Sequence, residues 1–373
     1  SCSCGCLGGD EFTVLLPMVT RPEDALPIAE RIRMSMSAPF AIGGMSLSLS
    51  TSIGIAIFPD DGGDAATLIK HADTAMYDAK AHGRNGCRYY NPALTAEAVH
   101  RVELEAGLRR ALARDEFVLM YQPQVEVRDG RIATVEALVR WQRPGGGRVP
   151  PIGFIPFAEE CGLIDALGAW VLQRACRDAA AWRARDLDLR VAVNLSPLQF
   201  RASALLDAVH GALAASGLPA DRLELEITES ALMADDTATR ATLGALRALG
   251  VGIALDDFGT GYSSLSDLKR LPLGKLKIDR SLVHGLPDDP DNLAIVSAML
   301  ARARHLGFSI TAEGVETAAQ AALLGRLEAD SLQGYLFSRA VPADEIAALA
   351  RHRWSADGGS GFSWAPGAGY ARG

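Results

Sequence analysis

Two kinds of apolar pattern alternate along most of this chain. Short, densely apolar runs of three to six residues, the pattern of strands buried on both faces, fall at Val118 to Gln122, Thr134 to Val139, Arg190 to Asn194, Leu223 to Ile227, Gly252 to Leu255, Leu276 to Ile278 and Ser309 to Ala312, with another near Ser331. Between them, apolar residues recur every three to four positions, which predicts helices over Phe154 to Ala184, Ala202 to Ser216, Thr237 to Leu249, Leu293 to Leu306 and Ala318 to Leu327. Eight strands interleaved with helices over about 250 residues predict an α/β fold, a TIM-like (β/α)8 barrel.

The residues before this region have a different character. Phe12 to Leu16 is a short apolar strand after a Gly-Gly turn, and Pro22 to Met36 has helical spacing with an acidic start. Leu47 to Phe58 is rich in β-branched and apolar residues, Ala65 to Ala81 is helical, and Cys87 to Tyr90 is a last strand, together a partial α+β domain. A strand as apolar as Ser52 to Phe58 normally has neighbours on both sides, and few strands are at hand to supply them. The expected organisation is therefore a partial domain over residues 1–90, a linker over 91–100, a barrel over 101–351 and a disordered tail over 352–373, where Gly, Ser and Ala dominate around Trp354 and Trp364.

Composition narrows the class. The 373 residues carry a net charge of −8, which argues against holding DNA or RNA through backbone phosphates, a mode that needs clustered Lys and Arg. No apolar run reaches the ~18 residues of a membrane span and no signal peptide opens the chain, so a cytoplasmic protein without a membrane segment is expected. The six cysteines lack the paired CxxC spacing of a zinc site and propose no disulfide framework.

The polar residues that interrupt the apolar runs carry the candidate chemistry. Glu136, Asn194, Glu226, Asp256 with Asp257, Lys277 and Glu313 lie within or just beyond six of the predicted strands. In a barrel such residues gather at the carboxyl ends of the strands, where barrel active sites lie. So many acids at one mouth repel one another unless cations stand between them. An all-oxygen set without paired histidines favours Mg²⁺ or Mn²⁺, and two such ions are a standard clamp for attack on a phosphodiester. A single acid of this kind is most often a solvated or capping carboxylate. An Asp-Asp pair before a Gly-rich loop, a Lys one strand later and a Glu one strand after that are not explained in that way.

The wording of these segments resembles one family. Glu136-Ala137-Leu138-Val139-Arg140-Trp141 is the signature of EAL domains, the cyclic di-GMP phosphodiesterases. Phe154-Ile155-Pro156 with Ala158-Glu159-Glu160, Asn194-Leu195-Ser196-Pro197, Glu226-Ile227-Thr228-Glu229-Ser230 and Asp256-Asp257-Phe258-Gly259-Thr260-Gly261-Tyr262-Ser263-Ser264 follow in the family's order. Lys277-Ile278-Asp279, Glu313-Gly314-Val315-Glu316 and Gln333-Gly334-Tyr335 complete it. The resemblance implies hydrolysis of cyclic di-GMP to linear pGpG with two Mg²⁺ or Mn²⁺ ions. It implies that Glu136, Asn194, Glu226 and Asp256 hold the first ion, and that Asp257 helps hold the second. Lys277 would orient the attacking water, and Glu313 would act as general base or as a metal-site residue. Glu229 would anchor the loop Phe258 to Ser264, while Gln122, Leu138, Arg140 and Gln333 would contact substrate. A homodimer is also expected. Ser338-Arg339-Ala340 departs from the family, which usually has Pro after Arg. The competing function is a receptor that binds cyclic di-GMP without cleaving it, but such receptors usually lack acids of the metal set, and here every position is filled.

The first 90 residues resemble the second half of a GGDEF domain, the family that makes cyclic di-GMP. Leu7-Gly8-Gly9-Asp10-Glu11-Phe12, Ser52-Ile53-Gly54-Ile55-Ala56 and Ala72-Asp73-Thr74-Ala75-Met76-Tyr77-Asp78-Ala79-Lys80 carry that likeness. The family's first strand, its earlier metal-binding Asp and its RxxD inhibition site have no counterpart among these residues, and Cys6 stands where an Arg is common. Synthesis of cyclic di-GMP by this chain is not expected.

Overall fold

The structure is a computed structural model that describes the chain except residues 1–2, 9, 20, 38–39, 43–44, 48, 82–83, 202–203, 233–236, 260–270, 358–360 and 364–373. It divides into two compact units, Ser1–Leu104 and Glu105–Gly373. The helix Pro92–Ala113 carries the chain from one into the other, so all but the first of the residues expected as a linker, 92–100, are helical.

In the first unit, β1 (Ser3–Gly8) pairs antiparallel with β2 (Glu11–Leu15), and β3 (Phe40–Ile42) pairs antiparallel with β4 (Met45–Leu47). The apolar run Leu47 to Phe58 yields a shorter strand than expected, β5 (Ile53–Ile55), which pairs in parallel with β6 (Cys87–Tyr89). The helices Ala25–Ser37 and Ala65–Ala81 match the helical spacing. Gly54 explains how close the second of them comes: a Cβ there would lie 1.9 Å from the Ala72 carbonyl oxygen. The core is small, with Ala25, Ala29 and Ile55 buried among Leu16, Ile53, Ile57, Cys87 and Tyr89.

The second unit is the barrel. Its ring runs β7 (Phe117–Glu126), β8 (Ile132–Gln142), β10 (Arg190–Leu195), β11 (Leu223–Thr228), β12 (Gly252–Phe258), β13 (Lys275–Ile278), β14 (Ser309–Ala312) and β15 (Ser331–Gln333), then closes on β7. Two short strands, β9 (Arg148–Val149) and β16 (Val341–Pro342), extend it beside β8 and β7. All eight predicted strands are present, with one difference from a uniformly parallel barrel. β7 runs antiparallel to both neighbours, because only a short turn, and no crossover helix, separates it from β8.

Successive side chains of a strand point to opposite faces, so Glu224 and Glu226, Lys275 and Lys277, and Gln122 and Gln124 each share a face. Leu223, Leu225 and Ile227, the alternate positions of β11, are fully buried. The helix predicted over Phe154 to Ala184 is two helices, Ile155–Glu160 and Ile164–Arg183, interrupted at Gly162, whose φ of 70° no regular helix permits. The helix Ala318–Arg326 begins at a capping box between Thr317 and Gln320.

The predicted tail is not structureless throughout. Trp354 is buried, its ring 5.2 Å from that of Phe337 and its amide donating to the Gly130 carbonyl at 2.8 Å. Beyond it β17 (Ser355–Asp357) pairs with β18 (Gly361–Ser363), whereas Trp364 lies outside the described residues. Among the described residues, no helix is long and apolar enough to cross a membrane.

Candidate active site

Register in the barrel brings the polar residues together. Asn194 on β10 pairs with Glu226 on β11, and Gln122 on β7 pairs with Glu136 on β8. β12 then departs from regularity. Leu255 pairs with Leu276 and Phe258 with Ile278, so Asp256 and Asp257 together oppose the single residue Lys277, which is a β-bulge. Asp257 takes the extra step in the left-handed region, at φ 55°, a conformation that Asp tolerates better than most residues. In a regular strand the two carboxylates would face opposite sides. Here an oxygen from each lies within 4.8 Å of the other and of a Glu313 oxygen, a group able to hold a metal ion.

At the centre is Lys277, 1% exposed. Its Nζ lies 2.8 Å from Glu226 Oε2, 3.0 Å from Asp256 Oδ1, 2.6 Å from Glu313 Oε1 and 3.8 Å from Glu136 Oε2. Four carboxylates thus surround one ammonium. The contacts to Asp256 and Glu313 are ion pairs without hydrogen-bond alignment, and Glu226 Oε1 is a buried acceptor with no donor. Glu136 is better satisfied, accepting from Asn194 Nδ2 at 2.6 Å and from Gln333 Nε2 at 2.5 Å.

The electrostatics follow from this imbalance. Burial pushes Glu226 well above the usual carboxylate range, and Glu136, Asp256 and Glu313 push it further against the pull of Lys277. Burial likewise raises Glu313, to about 8. Burial would also raise Glu136, but Lys277 and the Gln333 and Asn194 hydrogen bonds outweigh it and leave the group below its ordinary value. Asp257 is raised by burial and then by Asp256. Lys277 shows the converse: burial disfavours its charge, yet the surrounding acids hold its pKa well above the ordinary lysine value. Buried oxygens in excess of the available positive charge are a donor set that fits a hard divalent cation.

Gln122 donates to the Ser338 carbonyl at 3.1 Å and accepts from Gln333 Nε2 at 3.3 Å, which links it through Gln333 to Glu136. Glu136, Leu138 and Arg140 alternate along one face of β8, with Leu138 and Arg140 half-buried. Arg140 donates to the Val139 carbonyl at 2.9 Å. Burial pulls its guanidinium below the ordinary value, against Glu136 and Tyr335. Glu229 is buried at the start of the short helix Glu229–Leu232, while Thr260 to Ser264 of the loop assigned to it lie outside the described residues. Gly259 has φ 105°, and a Cβ there would lie 2.6 Å from Leu282 Cδ1, so the start of that loop needs glycine.

One feature escaped the sequence reading. Beneath the acids lies a second polar layer in which Lys275 Nζ contacts Glu224 Oε1 at 2.7 Å and Gln124 Oε1 at 3.3 Å, and Arg190 reaches Glu224 Oε2 at 3.6 Å. The i, i+2 repeats Glu224-x-Glu226, Lys275-x-Lys277 and Gln122-x-Gln124 are the signal that would have found it.

Comparison with known proteins agrees with this geometry. Residues 105–340 match the model of the EAL domain, and residues 4–86 match that of the diguanylate cyclase, GGDEF domain. The chain belongs to the EAL family. Among curated proteins it is 47% identical over 343 residues to the bifunctional diguanylate cyclase/cyclic di-GMP phosphodiesterase MucR of Pseudomonas aeruginosa, covering 92% of this chain and 50% of MucR. It is 39% identical over 348 residues to the cyclic di-GMP phosphodiesterase PdeR of Escherichia coli, covering 93% of this chain and 51% of PdeR. The chain thus spans about half the length of these relatives. Among solved structures, the MucR phosphodiesterase in complex with c-di-GMP superposes with a TM-score of 0.63 at 48% identity, over 65% of this chain and 99% of that one. The FimX EAL domain of Pseudomonas aeruginosa bound to c-di-GMP gives 0.60 at 27% identity, over 64% and 96%.

Proposed function

We propose that this chain hydrolyses one phosphodiester bond of cyclic di-GMP and releases linear pGpG. The observation that carries the reading is the ring of Glu136, Glu226, Asp256 and Glu313 around Lys277, with a donorless buried oxygen on Glu226. Glu136, Asn194, Glu226 and Asp256 would hold one Mg²⁺ or Mn²⁺, and Asp257 would help hold a second. Such ions, when bound, polarise a phosphoryl oxygen and lower the pKa of water.

The chain's own residues do the rest. Lys277 directs its ammonium at the space between Asp256 and Glu313, where it orients the attacking water. Glu313 takes part in handling that water's proton or in holding metal. Arg140 places a guanidinium along β8 for a phosphate, and Gln333 fixes Glu136 and is itself held by Gln122, the two offering amides to the ligand. Water adds to one phosphorus, that P–O3′ bond breaks, and a proton passes to the released 3′ oxygen, leaving a 5′ phosphate. The proposal gives residues 4–86 of this chain no part in synthesis, and it places the chain in the cytoplasm, where its nucleotide ligand is made.

Phosphorus NMR of cyclic di-GMP incubated with the protein and Mg²⁺ tests the reading. One phosphomonoester resonance should grow beside one retained diester. An unchanged spectrum with demonstrable ligand binding would make the chain a receptor instead.

A further inference from the structure

β10 is paired unequally on its two sides. Toward β11 its ladder runs as far as Asn194 and Leu195, opposite Glu226 and Ile227, whereas toward β8 it stops at Val193 opposite Ala137. Asn194 nevertheless reaches Glu136 on β8, to which its Nδ2 donates at 2.6 Å. Backbone pairing does not fix it on that side, and the strand ends one residue later. Ser196 takes over. Its hydroxyl donates to Glu159 Oε1 at 2.6 Å, the short bond expected of a hydroxyl on a carboxylate, and accepts from the Leu198 amide at 3.2 Å. Its own amide donates to Gln199 Oε1 at 3.1 Å. Gln199 is buried over Gly168, so closely that a Cβ there would collide with its side-chain amide. Glu159 lies on the helix Ile155–Glu160, the first α-helix after β8, which Phe154 and Ala158 anchor in the core.

We infer that Glu159 is a positioning residue: through Ser196 it ties the free end of β10 to the helix that follows β8, and so sets the Asn194 carboxamide against Glu136. The inference rests on the role proposed above for Asn194 and Glu136 at the first ion, and it adds a residue outside the metal set. Partners that orient metal ligands govern affinity for the ion although they do not touch it. Glu159 acts here as an acceptor for a hydroxyl proton, a part that needs an oxygen and not a charge.

Mn²⁺ binding to the full chain, followed by electron paramagnetic resonance, tests the inference. Glu159→Ala should weaken binding by about 10- to 100-fold, the range for a partner that orients a metal ligand, and raise the Mn²⁺ needed for half-maximal turnover by a similar factor. Glu159→Gln, which keeps an oxygen for the Ser196 hydroxyl, should bind close to wild type. Should Glu159→Ala not fold, Ser196→Ala, which removes only the hydroxyl, carries the same expectation. In an Asn194→Ala background, Glu159→Ala should cost little more, because its effect passes through Asn194. A Glu159→Gln protein as impaired as Glu159→Ala would make the charge the operative feature and overturn the positioning. Undiminished Mn²⁺ binding in Glu159→Ala or Ser196→Ala, or a loss that adds in full to that of Asn194→Ala, would overturn it as well. A wild-type chain that binds Mn²⁺ in this manner yet leaves cyclic di-GMP intact overturns the proposed hydrolysis and leaves the positioning standing, whereas one that binds no Mn²⁺ overturns both.

Discussion

Lys277 reaches across β12 to place its ammonium 2.8 Å from Glu226 Oε2 on β11, two strands away. The contact makes one lysine the counter-charge of a whole acidic mouth. Replacing it with Met should lower kcat by about 100-fold or more, the range of a lost acid–base or water-orienting group. In chelator the same variant should lose about 3–5 kcal/mol of stability, since two buried and two half-buried acids would keep no cation. Steady-state kinetics and urea unfolding check the two effects, and added Mg²⁺ should recover stability but not turnover.

The layer below offers a cleaner ion pair. Lys275→Met and Glu224→Leu should each cost about 3–5 kcal/mol, because each strands a buried charge, whereas the double variant should lie close to wild type. A double-mutant cycle on urea midpoints measures the coupling. Additive losses would show that the pair is not the unit that matters.

Without metal, stability should fall as pH rises. Glu313 has its pKa raised from 4.5 to about 8 in the folded chain, so between those values the folded state binds a proton that the unfolded state has released. Stabilisation from this group is complete below the unfolded pKa and is lost as pH climbs through the folded one, with a slope of at most about 1.4 kcal/mol per pH unit. Glu226, also raised, acts in the same direction. Thermal unfolding in chelator between pH 5 and pH 8, about the span from the unfolded to the folded pKa, should show a falling midpoint, and Mn²⁺ should flatten the trend by removing the need for the proton.

Much of this was legible in the residues themselves. The eight strand runs, the carboxylates at their ends and the family words predicted the barrel and its mouth. The direction of β7 was not legible, because an apolar run reads alike in either sense and only the turn length before β8 hints at a hairpin. Nor was the bulge at Asp256 and Asp257, since a one-residue slip leaves no compositional trace, although it decides that both carboxylates face the same side. The docking of Trp354 was hidden in a Gly- and Ser-rich stretch whose average character says nothing about one buried ring.

The most direct test of the account is a chromatographic time course of cyclic di-GMP with this chain and Mg²⁺, run beside the same mixture in excess chelator and beside Glu136→Ala. Wild type with Mg²⁺ should convert the substrate to pGpG as a single first product. Chelation should stop the reaction, and Glu136→Ala should leave substrate intact by removing the acceptor that Asn194 and Gln333 hold in place. Full activity in chelator, or substantial turnover by a folded Glu136→Ala protein, would contradict the claim that these acids and the ion they hold carry the chemistry.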